Sequence, residues 1–313
     1  MDDILRRRCA CFAENYDRLH RKFRFEYQLV HAVTAYAYAQ QGRTLDLDDI
    51  ETCRDLLRQK TSPFSCFRSA VQLMYAGALS LEADPNAAFD KTLHAYAALK
   101  EHFMASESLP LAAFAMARAG QETAFETTAA IAREIYDAMR ADHPFLTGRE
   151  DIPFAVLFAC CGKSAPDSSA ATESAFTVLR PRFGRSDAVQ TASHCLALCG
   201  DPIEGAKTLE SLWLALRERK CRYGKNLELI GLAALAMSPA PDAGTVEEID
   251  AVLKPCRGMG NWSIGAQTRR MYAALLASTL PETPERDATL PVTVTLAAAT
   301  VQMIARQQAA ATA

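Results

Sequence analysis

The chain has 313 residues, 50% hydrophobic and 23% charged, which is enough apolar material for a large core and excludes wholesale disorder. Its 34 Lys and Arg against 37 Asp and Glu give a net charge of −3, unlike the basic domains that bind nucleic acid generally. No apolar run follows the start MDDILRRRCA, and the most apolar late stretch, 290–305, is short and carries Thr, Gln and Pro, so neither a signal peptide nor a membrane span is expected.

The first 22 residues are charge-rich and read as an N-terminal cap. After them, two helix types alternate. One ends in an aromatic or polar residue, two spacers, Leu or Met, and a base. Its copies end at Lys100 after Tyr96 and Leu99, Arg140 after Tyr136 and Met139, Arg180 after Phe176 and Leu179, Arg217 after Trp213 and Leu216, and Lys254 after Asp250 and Leu253. A weaker copy ends at Arg58, and the closing bases lie 37 to 42 residues apart. A cation in the last turn complements the negative end of a helix.

The second type is rich in small residues and occupies 30–39, 71–81, 110–119, 153–161, 191–199, 227–237 and 268–277. Its alanines let backbones approach while long side chains of the first type fill the space beside them. Asp84-Pro85 and Asp201-Pro202 place an N-cap acceptor before a first-turn proline, and Pro166-Asp167 and Pro241-Asp242 stand in the equivalent gaps. With only 14 Gly, 14 Pro and almost no strand-like alternation, the chain is expected to be all-α. The expected architecture is an array of about seven antiparallel helix pairs, an α/α solenoid open or closing towards a toroid, with a period of about 37–43 residues. Residues 1–280 are expected to form one helical-repeat domain, 281–290 a polar linker with prolines, and 291–313 a helix capping the final repeat, with a tail.

Several short anchors in fixed order resemble one family. They are Tyr16-Asp17, Lys22-Phe23-Arg24-Phe25-Glu26, Phe64-Ser65-Cys66-Phe67-Arg68, Ser108-Leu109-Pro110-Leu111-Ala112, His143-Pro144-Phe145-Leu146-Thr147 with Asp151-Ile152-Pro153-Phe154, and Gln190-Thr191-Ala192-Ser193-His194. Together, from about residue 10 to about 280, they resemble the bacterial domain of unknown function four thousand and three. The resemblance implies a bacterial, cytoplasmic, single-domain protein of uncharacterised activity and brings no catalytic residue with it.

Ten cysteines without an export signal point to reduced thiols in a cytosol. They form no C-x-x-C pair, and Cys160, Cys161, Cys195 and Cys199 are expected to be reduced, mostly buried packing residues. No metal and no cofactor is expected. Gly258 to Trp262 reads as an inter-helix turn, and the bases from Arg217 to Lys225 as a charged helix terminus.

The polar residues on the small-residue helices are the candidate site. Gln190 and His194 share a helix face one turn apart, Asp151 opens the preceding small-residue helix, His143 and Thr147 lie in the turn before it, and Arg68 opens one two repeats earlier. In a stacked array these starts converge on one edge, so Arg68, His143, Thr147, Asp151, Gln190 and His194 are the expected ligand- or partner-binding residues, on a shared and partly open surface. Their ordinary structural roles are N-cap, helix-end cation and satisfied core histidine. The leading function is a binding or scaffold module whose concave surface takes a peptide, protein or small ligand. The alternative is an enzyme with His143, Asp151, Gln190 and His194 in a central cavity. No nucleic-acid partner and no membrane insertion is expected.

Overall fold

The computed structural model describes residues 1–260, 263–279 and 289–312. Among these there are fifteen α-helices and no strand. They are α1 (Asp3–Lys22), α2 (Gln28–Gln40), α3 (Leu47–Lys60), α4 (Gln72–Leu79), α5 (Pro85–Lys100), α6 (Leu109–Ala119), α7 (Phe125–Asp142) and α8 (Ile152–Cys160). The second half comprises α9 (Ala165–Phe183), α10 (Asp187–Cys199), α11 (Pro202–Glu218), α12 (Leu229–Ala236), α13 (Ala243–Leu253), α14 (Ala266–Ala277) and α15 (Leu290–Thr312). None of the described helices is long and apolar enough to cross a membrane.

The two helix types fall where their sequences place them. α3, α5, α7, α9, α11 and α13 each end within three residues of Arg58, Lys100, Arg140, Arg180, Arg217 and Lys254, and only α13 stops short of its base. The residue one turn before each signature anchor (Thr92, Ala132, Thr172, Leu209, Val246) is buried, because positions four apart share the inward face. The helix starts are capped as the sequence requires. Asp84 accepts the amides of Asn86 and Ala87, Asp201 those of Ile203 and Glu204, and Asp242 those of Gly244 and Thr245.

The helices pack two by two: α1 on α2, α3 on α4, and so on to α13 on α14. Even-numbered helices, α4 and α6 apart, also pack on one another, as do odd-numbered ones, and α1 meets α13 and α14 while α14 meets α2. Arg8 donates to the carbonyls of Leu276 and Ser278 at 3.1 and 2.9 Å, Tyr16 to that of Gly258 at 3.2 Å, and Phe12 stacks on Tyr272. Glycine is needed where even helices crowd. A Cβ at Gly231 of α12 would stand 2.7 Å from the Met271 carbonyl of α14, and one at Gly77 of α4 2.4 Å from Thr34 Cγ2 of α2.

The last helix departs from expectation. It spans Leu290–Thr312 and, rather than capping the final pair alone, packs chiefly on α2, α6, α8, α10 and α12. Leu290, Val292, Val294, Leu296, Ala299, Val301 and Ile304 are all buried. A helix apolar on nearly every side is a core element rather than a surface cap. The linker expected over 281–290 lies, but for its last two residues, outside the described residues, as do Asn261 and Trp262 of the expected turn.

His31 of α2 adds a pH dependence. Burial, with His20 beside it, pushes its pKa down to about 4, against the opposing pull of its hydrogen bond to the Phe23 carbonyl. The unfolded chain therefore binds a proton that the native state refuses between about pH 6.5 and 4. Stability is complete above the unfolded value and falls with pH through this window, by up to about 3 kcal/mol at pH 4. Urea unfolding of wild type and His31→Phe at pH 7 and 4.5 checks this: the variant should lose clearly less stability on acidification. Equal losses would refute the assignment.

Candidate functional site

The sequence-nominated residues converge in part, in two linked clusters where α7, α8, α9 and α10 meet. In the first, His194 of α10 lies with Nε2 3.5 Å from Asp151 Oδ1, in the turn before α8. The approach is not aligned as a hydrogen bond, so it is an electrostatic contact. On its other side, Nδ1 lies 3.4 Å from Thr172 Oγ1 of α9, and the ring stacks on Phe154 at 5.0 Å and meets Phe158 edge-on. The second Asp151 oxygen accepts the Gly148 amide at 2.9 Å. One turn before His194, Gln190 donates to Thr147 Oγ1 at 2.9 Å, and Thr147 donates to the Met139 carbonyl at the end of α7.

The second cluster holds His143, which ends α7 and turns away from Asp151. Its Nε2 meets Glu173 of α9, its Nδ1 accepts from Arg185 at 3.4 Å, and its ring lies on Phe176. Thr172, Glu173 and Arg185 were not nominated from sequence. The signal for Thr172 was present, since it stands one turn before the anchor Phe176, on the inward face. Arg68 does not join either cluster: it donates to Thr61 Oγ1 and to the carbonyls of Arg58 and Thr61, closing the C-terminal end of α3.

The expected open surface is absent. His143, Thr147, Asp151, Gln190 and His194 are all buried, and none lines the three hollows described below. Buried polar groups survive when they bind each other, and this group ties the α7–α8 turn to α9 and α10. His194→Ala is therefore expected to lower stability by about 1–3 kcal/mol, because it strands Asp151 beside a void. Chemical unfolding measures this, and an unchanged stability would refute the structural role.

The thiols are free, but of the four singled out only Cys195 is fully buried; Cys160, Cys161 and Cys199 are half-buried at helix ends. Burial pushes the Cys160 thiol up to about 12, and Cys9 and Cys53 up to about 11, so these remain protonated and unreactive.

Open space lies elsewhere. A cavity of about 300 Å³ sits between α2, α4, α6 and the first turns of α15, lined by Val33, Met74, Leu79, Leu111, Phe114 and Val294 among others. Here α4 is only eight residues long, and α4 and α6 lack the close packing seen between α6 and α8. Tyr75 and Phe114 stack in its wall at 5.2 Å. Thr34, also in the wall, is buried, and its hydroxyl has no hydrogen-bond partner. Glu82 and Arg118, paired at 3.6 Å, stand in the lining with Lys91. Two larger hollows, of about 560 and 640 Å³, are shallower and more polar.

Neither a curated protein nor a solved structure matches the chain. A family profile matches residues 15–309, nearly its full length. The order of the short anchors, the all-helical fold and this match agree, and the chain belongs to the family described as Protein of unknown function (DUF4003).

Proposed function

We propose that the chain is a closed ring of seven antiparallel helix pairs around its own last helix, and that it binds a small apolar molecule. The ring reading is supported by the two-by-two packing, the short connectors and the return of α1 onto α13 and α14. Odd helices form the outer layer and even helices the inner one. α15 runs against the inner helices: its start meets the C-terminal half of α2 beside Thr34, and its Arg306 pairs with Asp187 at the start of α10. The concave surface is thereby filled, which moves the binding site from the whole channel to the space α15 leaves.

The observation that carries the function is the apolar cavity with the unpartnered Thr34 hydroxyl. An unbound polar atom in an apolar wall is unfavourable, and a ligand with one hydrogen-bonding group would satisfy it. The volume is about twice that of a cavity known to hold benzene, which suits an apolar body of roughly a dozen heavy atoms. The enzymatic alternative draws less support, since His143, Asp151, Gln190 and His194 are sealed from any substrate. No cofactor is called for, and a cytoplasmic setting suits the free thiols.

Naphthalene and 2-naphthol test this in calorimetry with the full chain. Both should bind saturably, and Ala78→Phe, which fills the cavity, should abolish binding while unfolding stays cooperative. Thr34→Val should weaken 2-naphthol about five- to tenfold and leave naphthalene unchanged. Absence of binding, or binding indifferent to Ala78→Phe, overturns the proposal.

A further inference from the structure

The ring reading brings all outer-to-inner connectors to one rim, and that rim has an uncommon surface. Phe25, Phe64, Met104 and Phe145 are 90%, 97%, 75% and 93% exposed, and each sits in one of four consecutive connectors, those of the first four pairs. They stand 39 to 41 residues apart, the period of the pairs themselves. Large apolar side chains this exposed are seldom isolated accidents when they recur in register. Adjacent connectors also touch: Arg185 meets His143, and Lys225 donates to the Arg182 carbonyl.

Bases outnumber carboxylates along this rim, although Glu101, Glu107, Asp142 and Glu150 stand in or beside its third and fourth connectors. Outer helices end here, so their closing bases Arg58, Lys100, Arg140, Arg180 and Arg217 are exposed along it, and the Arg24 guanidinium lies 4.7 Å from the Phe25 ring centroid. The opposite rim carries the N-cap carboxylates Asp46, Asp84, Asp201 and Asp242, all exposed. The net charge of −3 thus conceals a separation of charge between two faces.

We infer that this rim docks on an anionic membrane surface, with Phe25, Phe64, Met104 and Phe145 entering the interface and the neighbouring bases meeting lipid headgroups. Single apolar tips separated by polar residues make no continuous groove for a peptide and no contiguous core for a protein interface. A row of such tips at the edge of a ring fits a flat surface, and bases beside them gain from anionic lipid. The docking is peripheral, because no described helix is long and apolar enough to cross a membrane.

The test is co-sedimentation of the full chain with vesicles of phosphatidylcholine alone, or with phosphatidylserine at about one lipid in three. The chain should partition onto the anionic vesicles and be released by high salt. Changing Phe25, Phe64 and Phe145 together to Ser should weaken partitioning roughly tenfold or more at an unchanged melting midpoint, since these side chains support nothing in the fold. Lys100→Glu with Arg140→Glu should weaken it on anionic vesicles. Ile4→Ser, at the opposite rim and 71% exposed, should have no effect. No partitioning of the wild type overturns the inference. So does full binding by the triple serine variant, or a preference for DNA that this variant retains, because the rim would then be a general polyanion surface.

Discussion

Ending the chain after residue 289 is expected to abolish cooperative folding. The removed helix buries six large aliphatic side chains, Leu290, Val292, Val294, Leu296, Val301 and Ile304. At about 1.5–3 kcal/mol each, their loss removes roughly 9–18 kcal/mol, as much as the whole net stability of an ordinary domain. The inner faces of α2, α6, α8, α10 and α12 would be left facing water. The truncated protein should be insoluble, or soluble without a sharp thermal transition. Leu296→Ala gives the graded version, with an expected loss of about 2–5 kcal/mol in urea unfolding. A truncated chain that melts cooperatively near the wild-type midpoint would show that α15 covers little.

Asp250→Ala is the second large effect. Arg269 of α14 is buried, and its guanidinium donates to Asp250 Oδ1 at 2.7 Å and to the Met259 carbonyl at 3.0 Å. Arg270 reaches the other Asp250 oxygen at 3.3 Å. Removing the carboxylate takes the Asp250 charge away from a buried cation, which costs about 3–5 kcal/mol. Replacing both partners, as Asp250→Leu with Arg269→Met, should recover much of this, because two apolar groups do not need each other. Unfolding free energies of the single and double variants decide it. A single variant within about 1 kcal/mol of wild type would contradict the pairing.

The same pair shows what the sequence could disclose. Asp250 stands where Tyr96, Tyr136, Phe176 and Trp213 stand in other copies, so it is the polar version of the signature's first residue. Arg269 stands on a helix of the small-residue type, where a large cation is out of place. Each oddity explains the other, but only across a spacing that no local period links. Helix types, lengths and caps were legible because each depends on neighbours within a turn or two. The choice between open solenoid and toroid was left open, since small rotations per pair accumulate over the whole chain and no local pattern sets their sum.

The candidate site was legible to a similar depth. The i, i+4 relation put Gln190 and His194 on one face, and the contact of α8 with α10 brings Asp151 to His194. It did not reveal that His143, ending α7, turns towards Glu173, or that Arg68 closes the helix before it. Burial was also missed: a polar residue on an inner helix signals either a ligand or a polar partner from the outer helix, and Thr172 is that partner. The cavity had no sequence signature, because it arises from the shortness of α4 and from how α15 lies against α2.

The most direct test of the account is a crystal of the full chain held under xenon, which fills apolar cavities and ignores polar hollows. The account expects a xenon peak between α2, α4, α6 and the start of α15, among Met74, Phe114 and Val294. A site closed by collapsed side chains, or xenon found only elsewhere, would contradict it.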